Sequence, residues 1–188
     1  MTAPFATEAE SRFRAWESAG RARRALWRCA GAIGFGLVPE PFPAVRNWVL
    51  RRFGARVGPG TTISRSVRIT DPWNLRIGAG SEVHFGATLD CMGSIEIGDR
   101  VRISQYANLC AGTHDLSSPG LPIVAAPIRI GNDVWIAADA FVGPNAVIGA
   151  GSVVAARSSA FGTLPEGMVC VGEPARPVKP RGRGPVHR

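Results

Sequence analysis

Three histidines and four cysteines are the side chains of this 188-residue chain best suited to chemistry at neutral pH. A histidine titrates near neutrality, so it can take a proton from a hydroxyl without a strongly perturbed site. His187 lies in a Pro- and Gly-rich tail, and His84 follows an aliphatic residue in a repeat, next to a corner. His114 stands in the run Gly112-Thr113-His114-Asp115, beside a carboxylate and a break in the repeat. It is the candidate general base; the plain alternative is a corner histidine bonded to a turn carbonyl. Cys29, Cys91, Cys110 and Cys170 are far apart, with no CxxC. A catalytic zinc needs three protein ligands, and neither the cysteines nor a close histidine pair supplies them, so no metal is expected. A scaffold of this size has no need of disulfides, so reduced thiols and a cytoplasmic location are expected.

The elements that must hold His114 follow from a six-residue beat. From Val57 to about Val154 an aliphatic residue opens almost every sixth position, commonly followed by a small residue, often Gly. Examples are VGPGTT from Val57, IGAGSE from Ile77, IGDRVR from Ile97, IGNDVW from Ile130 and VGPNAV from Val142. A period of this kind outranks local propensity and predicts a parallel β-helix. Three hexads make one triangular coil, its opening aliphatics point inward, and stacking buries what a single coil cannot. About five coils give a prism roughly 24 Å tall.

A second repeat sets the register. The tetrads LRIG, IEIG and IRIG begin at Leu75, Ile95 and Ile128, so the first two starts lie 20 residues apart and the last two 33. The 13 extra residues are read as a loop, Asp115–Pro127, thrown out of the prism just after His114. A long loop on a rigid scaffold is usually functional.

The hexads, together with GTHD, the loop, APIRIG and WIAADAFVG, resemble the hexapeptide-repeat acyltransferases, in particular the colanic-acid-biosynthesis type of sugar O-acetyltransferase. PWNLRIG at Pro72, the run ISQ…LCAGTHD ending at Asp115, and FGARVG carry the likeness over roughly 42–178. It implies an all-β fold, a left-handed parallel β-helix, assembled as a homotrimer with sites between prisms. It implies acetyl-CoA as co-substrate and His114 as catalytic base. It implies that the backbone N–H of Ala138, the small residue after IGNDVWIA, stabilises the oxyanion. Ala156 matches a residue lining the coenzyme groove, and Arg157, Arg176 and Lys179 carry charge suited to its phosphates. The segment Ser159–Thr163, SAFGT, lacks the Lys and Asp the family usually has there. For a saccharide acceptor, Asp115 is read as fixing a hydroxyl. Asp90 is read as a second acceptor contact or as a corner Asp satisfying turn N–H groups. Gln105 and Asn108 belong to the motif without an assigned chemistry. A non-catalytic scaffold, or an enzyme taking its acyl group from a carrier protein, is the alternative.

Three regions are expected: a helical extension over 1–56, the β-helix over 57–178, and a disordered basic tail over 179–188. The net charge is +8, distributed as +6, −2 and +4 over 1–56, 57–172 and 173–188. The prism is therefore not a basic surface, and no nucleic-acid-binding motif is present, so no nucleic-acid partner is expected. The spacing of Phe13, Trp16, Ala19, Arg23 and Trp27 predicts an amphipathic helix over 8–33, broken by Pro39, Pro41 and Pro43, with a short second helix over Ala44–Phe53. Trp27, Trp48 and Phe53 are expected to close the open lower end of the prism. The other reading of the extension is peripheral membrane contact through Arg21, Arg23, Arg24 and Arg28.

Overall fold

The computed structural model describes residues 20–182. It is a parallel β-solenoid of short strands stacked into three flat faces. The first face carries six parallel strands, from Arg56–Val57 to Thr163–Leu164. The second carries six, from Thr62–Ile63 to Met168–Gly172, and an antiparallel seventh, Ala175–Pro180. The third carries five, from Arg68–Ile69 to Ser159–Ala160. The inward residues stack in register: Val57 under Ile77, Ile97, Ile130, Ile148 and Leu164 on the first face, and Ile63 under Val83, Ile103, Ile136, Val154 and Cys170 on the second. These side chains form one continuous buried core. Each coil is too thin to bury them alone; the neighbours above and below do it.

The beat has a backbone cause. The fourth residue of most hexads turns the corner with positive φ: Gly60, Gly80, Gly86, Arg100, Tyr106, Asp133, Asp139, Asn145, Gly151 and Arg157. Gly and the Asn/Asp pair tolerate that conformation best, which explains their recurrence. The second residue is crowded too: a Cβ on Gly58 would lie 2.5 Å from the Ala79 nitrogen in the coil above.

At the base, two helices close the stack. Residues 20–31 are helical (α1) and run into a π-helical turn, Ala32–Leu37. Helix α2, Pro43–Arg52, starts on a proline, where a missing N–H costs nothing. The first coil has no coil beneath it, so the carbonyls of its inward residues need other donors. Arg51 donates to Val57 O at 2.7 Å, Arg46 to Ile63 O at 2.7 Å, and the Trp27 indole to Ile69 O at 2.7 Å. Asn47 adds a bond to Thr61 O at 2.7 Å. Arg46 is only 1% exposed and also holds Pro39 O at 2.9 Å, which folds the proline-rich connection back onto the base.

Trp27 and Phe53 close the base as expected, their rings 5.2 Å apart. Trp48 does not: it is 55% exposed, and Arg52 lies over its outer face. Leu50 fills the place instead, because α2 turns 46, 47 and 50 inward and 45, 48 and 52 outward. The membrane reading loses two of its four arginines. Arg23 stacks on Trp73 at 4.0 Å and donates to Phe53 O, and Arg24 pairs with Asp71 at 2.8 Å. No described helix is long and apolar enough to cross a membrane. The tail needs a correction as well. Lys179 and Pro180 belong to the last strand, and Arg181 donates to Asp133 O at 2.6 Å, because the unpaired edge of Met168–Gly172 recruits the returning chain. The stretch 8–19 of the expected first helix, and the tail from 183, lie outside the described residues.

Replacing Arg46 with Leu would leave the buried Ile63 carbonyl without its donor and would release the bonds to Pro39 O and Glu40 O that hold the connection. Unmade bonds of this kind cost about 1–3 kcal/mol each, so Arg46→Leu is expected to lower the unfolding free energy by about 2–5 kcal/mol in urea titration. Trp48→Ala should stay within about 0.5 kcal/mol of the parent.

Candidate active site

The coil that carries His114 opens at the corner between the third and first faces. The chain climbs the third face through Asn108–Cys110, and the coil resumes at Ala126, whose N–H donates to Ala111 O at 3.0 Å. Between them the chain runs out as an antiparallel hairpin, Gly112–His114 paired with Ile123–Ala125. The excursion is therefore 112–125 and not 115–127. His114 already stands on the hairpin, opposite Ile123. The shift arises because the repeat count gives only the net number of residues added, while the pairing of Gly112 with Ala125 fixes where the excursion starts and ends.

His114 is exposed, and its Nδ1 lies 2.6 Å from Leu121 O. A carbonyl only accepts, so Nδ1 carries the proton and the neutral ring leaves Nε2 as the free base. The plain reading of a histidine bonded to a turn carbonyl is thus met, and it is the bond that would orient a base. Leu121 holds its carbonyl there with φ of 48°, next to Gly120 at 82°. The Pro119-Gly120 pair was the sequence signal for that turn.

Asp115, read from the sequence as an acceptor contact, is bonded within the hairpin. Its carboxylate accepts the Ser117 amide at 2.9 Å and hydroxyl at 2.6 Å, and the Ser118 hydroxyl at 2.7 Å. The Ser117 hydroxyl bond, then that of Ser118, lower its pKa from 3.8 to about 2. A carboxylate bonding to N–H and O–H groups two and three residues on is a turn clamp, so it shapes the hairpin tip. Asp90, one coil below Cys110, accepts the Thr70 hydroxyl at 2.9 Å, and the Cys110 thiol approaches it at 3.9 Å. It binds side chains of its own face and not the turn N–H groups expected of a corner Asp.

Ala138 and Ala156 lie elsewhere, at the corner between the second and third faces. They stack above Phe85 and Gln105, and Arg157 N donates to Ala138 O at 3.0 Å. The N–H groups of Gln105, Ala138 and Ala156 find no partner among the described residues. At the corner between the first and second faces the comparable amides of Ala79 and Asp99 are taken by the side chains of Asp99 and Asn132, at 2.7 and 2.9 Å. The Ala138 column therefore presents backbone donors that no described residue uses, as the amides of Asn132 and Ala150 do on the other corner. Arg157 stands beside it, 3.6 Å from Asp139. Arg176, paired with Val171, caps it, while Lys179, paired with Val169, lies at the far end of the same strand. One protomer thus brings Ala138, Ala156, Arg157 and Arg176 together, but leaves His114 a full face away and Lys179 apart.

The other motif residues have structural work. Asn74 donates to Cys91 O at 2.9 Å and Trp135 to the Ser104 hydroxyl at 2.8 Å, tying coils together. Gln105 O accepts the Asp139 amide, and Asn108 faces outward on its strand. His84 lies on the second face, 3.2 Å from Glu82, whose carboxylate also binds Arg102. Among the described residues no three His, Cys, Asp or Glu side chains converge as metal ligands.

Comparison with known proteins agrees with this architecture. The family model described as bacterial transferase hexapeptide (six repeats) matches residues 127–159. The Escherichia coli K12 protein WcaF, named as a colanic acid biosynthesis acetyltransferase, is 42% identical over 156 residues, covering 83% of this chain and 86% of its own. Among solved structures, the hexapeptide-repeat acetyltransferase VCA0836 of Vibrio cholerae, complexed with acetyl coenzyme A, is similar with a TM-score of 0.78 and 23% identity, over 86% of this chain and 88% of that one. A galactoside acetyltransferase in complex with coenzyme A gives 0.79 and 24%, over 86% and 82%. At those identities the structural likeness shows the fold.

The Asp115 clamp sets a pH window. Its folded pKa lies below the unfolded value, so the clamp is fully present above about pH 4 and is lost as pH falls through about 2. The Ser117 amide resonance is expected to hold constant from pH 5 to 9 and to shift only below about pH 4.

Proposed function

The chain belongs to the hexapeptide-repeat acetyltransferases, and from that premise we propose that it moves an acetyl group from acetyl-CoA to a hydroxyl of a saccharide destined for a surface polysaccharide. The observation that carries the reading is the oriented His114, whose Nδ1–H is committed to Leu121 O and whose Nε2 is free. In the transfer the acceptor oxygen bonds to the acetyl carbon as the carbon–sulfur bond breaks. His114 takes the hydroxyl proton and returns one to the leaving thiolate. The unpaired N–H of Ala138 suits the oxyanion that develops on the attacked carbonyl. The same column fits the coenzyme: Ala156 is small enough to let an extended chain lie against free amides, and Arg157 and Arg176 supply charge for phosphates. These residues compensate for the missing family Lys. Lys179 is not needed for this grip. Asp90 faces the acceptor side; Asp115 serves by holding the hairpin.

The separation of His114 from Ala138 supports a cyclic trimer with shared sites. Within one chain the third face stands between them, whereas a neighbouring prism can set its Ala138 corner against this hairpin, and ligand pockets favour such junctions. Of the three regions, the described part of the first, 20–56, acts as a closing base and 57–178 as the catalytic prism, ahead of a basic end. The reaction is placed in the cytoplasm.

His114→Ala is expected to lower turnover by about 10²–10⁴-fold while leaving acetyl-CoA binding by calorimetry within about twofold, because a base acts mainly in the transition state. His84→Ala, the control on another face, should cost less than about tenfold. Retained turnover in His114→Ala would place the base elsewhere. For the assembly, sedimentation equilibrium should return a trimer; a stable, active monomer would exclude shared sites.

A further inference from the structure

A groove of about 660 Å³ runs between helix α1 and the lower third face. Four arginines line it, Arg24, Arg28, Arg65 and Arg68, with two acidic residues, Asp71 and Asp90, and most of its wall is apolar. Arg24 is held by Asp71. Arg28, Arg65 and Arg68 are exposed and form no ion pair with any described residue. Higher on the prism the pattern differs: Arg100, Arg102, Arg129 and Arg157 each reach a carboxylate. Arg65 lies in the field of the Glu40 carboxylate, which also accepts its backbone N–H, whereas Arg28 and Arg68 have no carboxylate partner among the described residues. Guanidiniums gathered at a concave site suit phosphate oxygens in particular.

The groove also has a direction. Its upper end is formed by Asp90 and Met92. Asp90 lies one coil beneath Cys110, and a Cβ added to Gly112 would meet the Met92 sulfur at 2.9 Å. The groove therefore ends against the root of the hairpin that bears His114. Its floor of Val67, Ile69 and Trp27 is apolar.

We propose that this groove is the anion subsite of the acceptor, so that the saccharide acetylated is one carrying a phosphate or diphosphate on its anomeric carbon. The proposal rests on the acetyltransferase reading above. Arg28, Arg65 and Arg68 bind the phosphate oxygens, the sugar lies over Met92 beside Asp90, and its hydroxyls face the hairpin. Nucleotide-linked and lipid-linked saccharides share this chemistry. The phosphate takes no part in the transfer, so the subsite acts through affinity and registration.

The test is calorimetry on the full chain with inorganic pyrophosphate as probe. Saturable binding is expected, weakened at least about tenfold in Arg65→Ala/Arg68→Ala, since hydrogen bonds to charged groups are worth about that much each. With coenzyme A in excess to occupy its own column, Arg157→Ala/Arg176→Ala should leave pyrophosphate binding within twofold, and acetyl-CoA affinity should be unchanged in the Arg65/Arg68 variant. Arg56→Ala/Arg76→Ala, on the first face, controls for general charge. UDP-glucose or farnesyl diphosphate binding more tightly than pyrophosphate supports the proposal and tells the nucleotide source from the lipid one; neither doing so overturns it. Absence of pyrophosphate binding overturns it, as does an equal loss in the first-face control. Loss confined to the Arg157/Arg176 variant would also overturn it, assigning the anion to the coenzyme column. If pyrophosphate behaves as expected but acetyl-CoA does not bind, the acetyl-transfer reading fails and the groove stands. If neutral saccharides are acetylated and pyrophosphate neither binds nor inhibits, the groove proposal alone fails.

Discussion

A stack of flat coils has two polar edges that its own repeat cannot satisfy, and the closure of those edges organises the rest of the molecule. Every inner coil bonds to the coils above and below it, but the first has no lower neighbour. Its inward carbonyls at 57, 63 and 69 meet donors from Arg51, Arg46 and Trp27, one per face. This is why the extension cannot be an independent appendage. Arginine and the Trp indole serve because they donate without accepting, and both bring apolar surface to a core that ends there. At the upper end the chain closes the last strand with itself, Ala175–Pro180 folding back on Met168–Gly172.

With the ends fixed, the three corners diverge in role. At one corner the lower amides, those of Ala79 and Asp99, are taken by the side chains of Asp99 and Asn132. The next keeps its amides free along Gln105, Ala138 and Ala156. The third is interrupted, and the interruption carries His114 on a two-stranded arm. The arm is held by its own pairing, the Asp115 clamp and the Leu121 carbonyl, so the His114 ring is oriented by backbone rather than by a buried charge. His114 and the donor column thus stand a full face apart within one chain, and the proposed junction between prisms rests on that separation.

Charge follows the same division. The upper prism neutralises its arginines coil to coil, as in Arg102 with Glu82, and this pairing holds the Glu82 carboxyl below its ordinary range. Near the base the arginines have two fates. Some are spent on closure, as Arg46 and Arg51 are, and some are left facing the groove under α1. A count of charge along the sequence records both as the same excess.

By itself the sequence determined the coils, their register and the identity of the core, because a six-residue period that places Ile, Val or Leu inward leaves few ways to bury them. It also determined that 13 residues are added between the second and third tetrads, since the tetrads count residues, although it set them at Asp115–Pro127. It could not say where that excursion pairs, so the hairpin begins at Gly112 and Asp115 became a clamp instead of an acceptor contact. Nor could it distinguish Trp48 from Leu50 at the base, because both are apolar and only the rotation of α2 turns one outward. The unpaired amide of Ala138 and the arginines that line one groove are likewise tertiary facts. Corners, faces and helix orientation bring together residues as distant as Arg28 and Arg68, and whether a donor or a cation is satisfied depends on the neighbour that folding sets beside it.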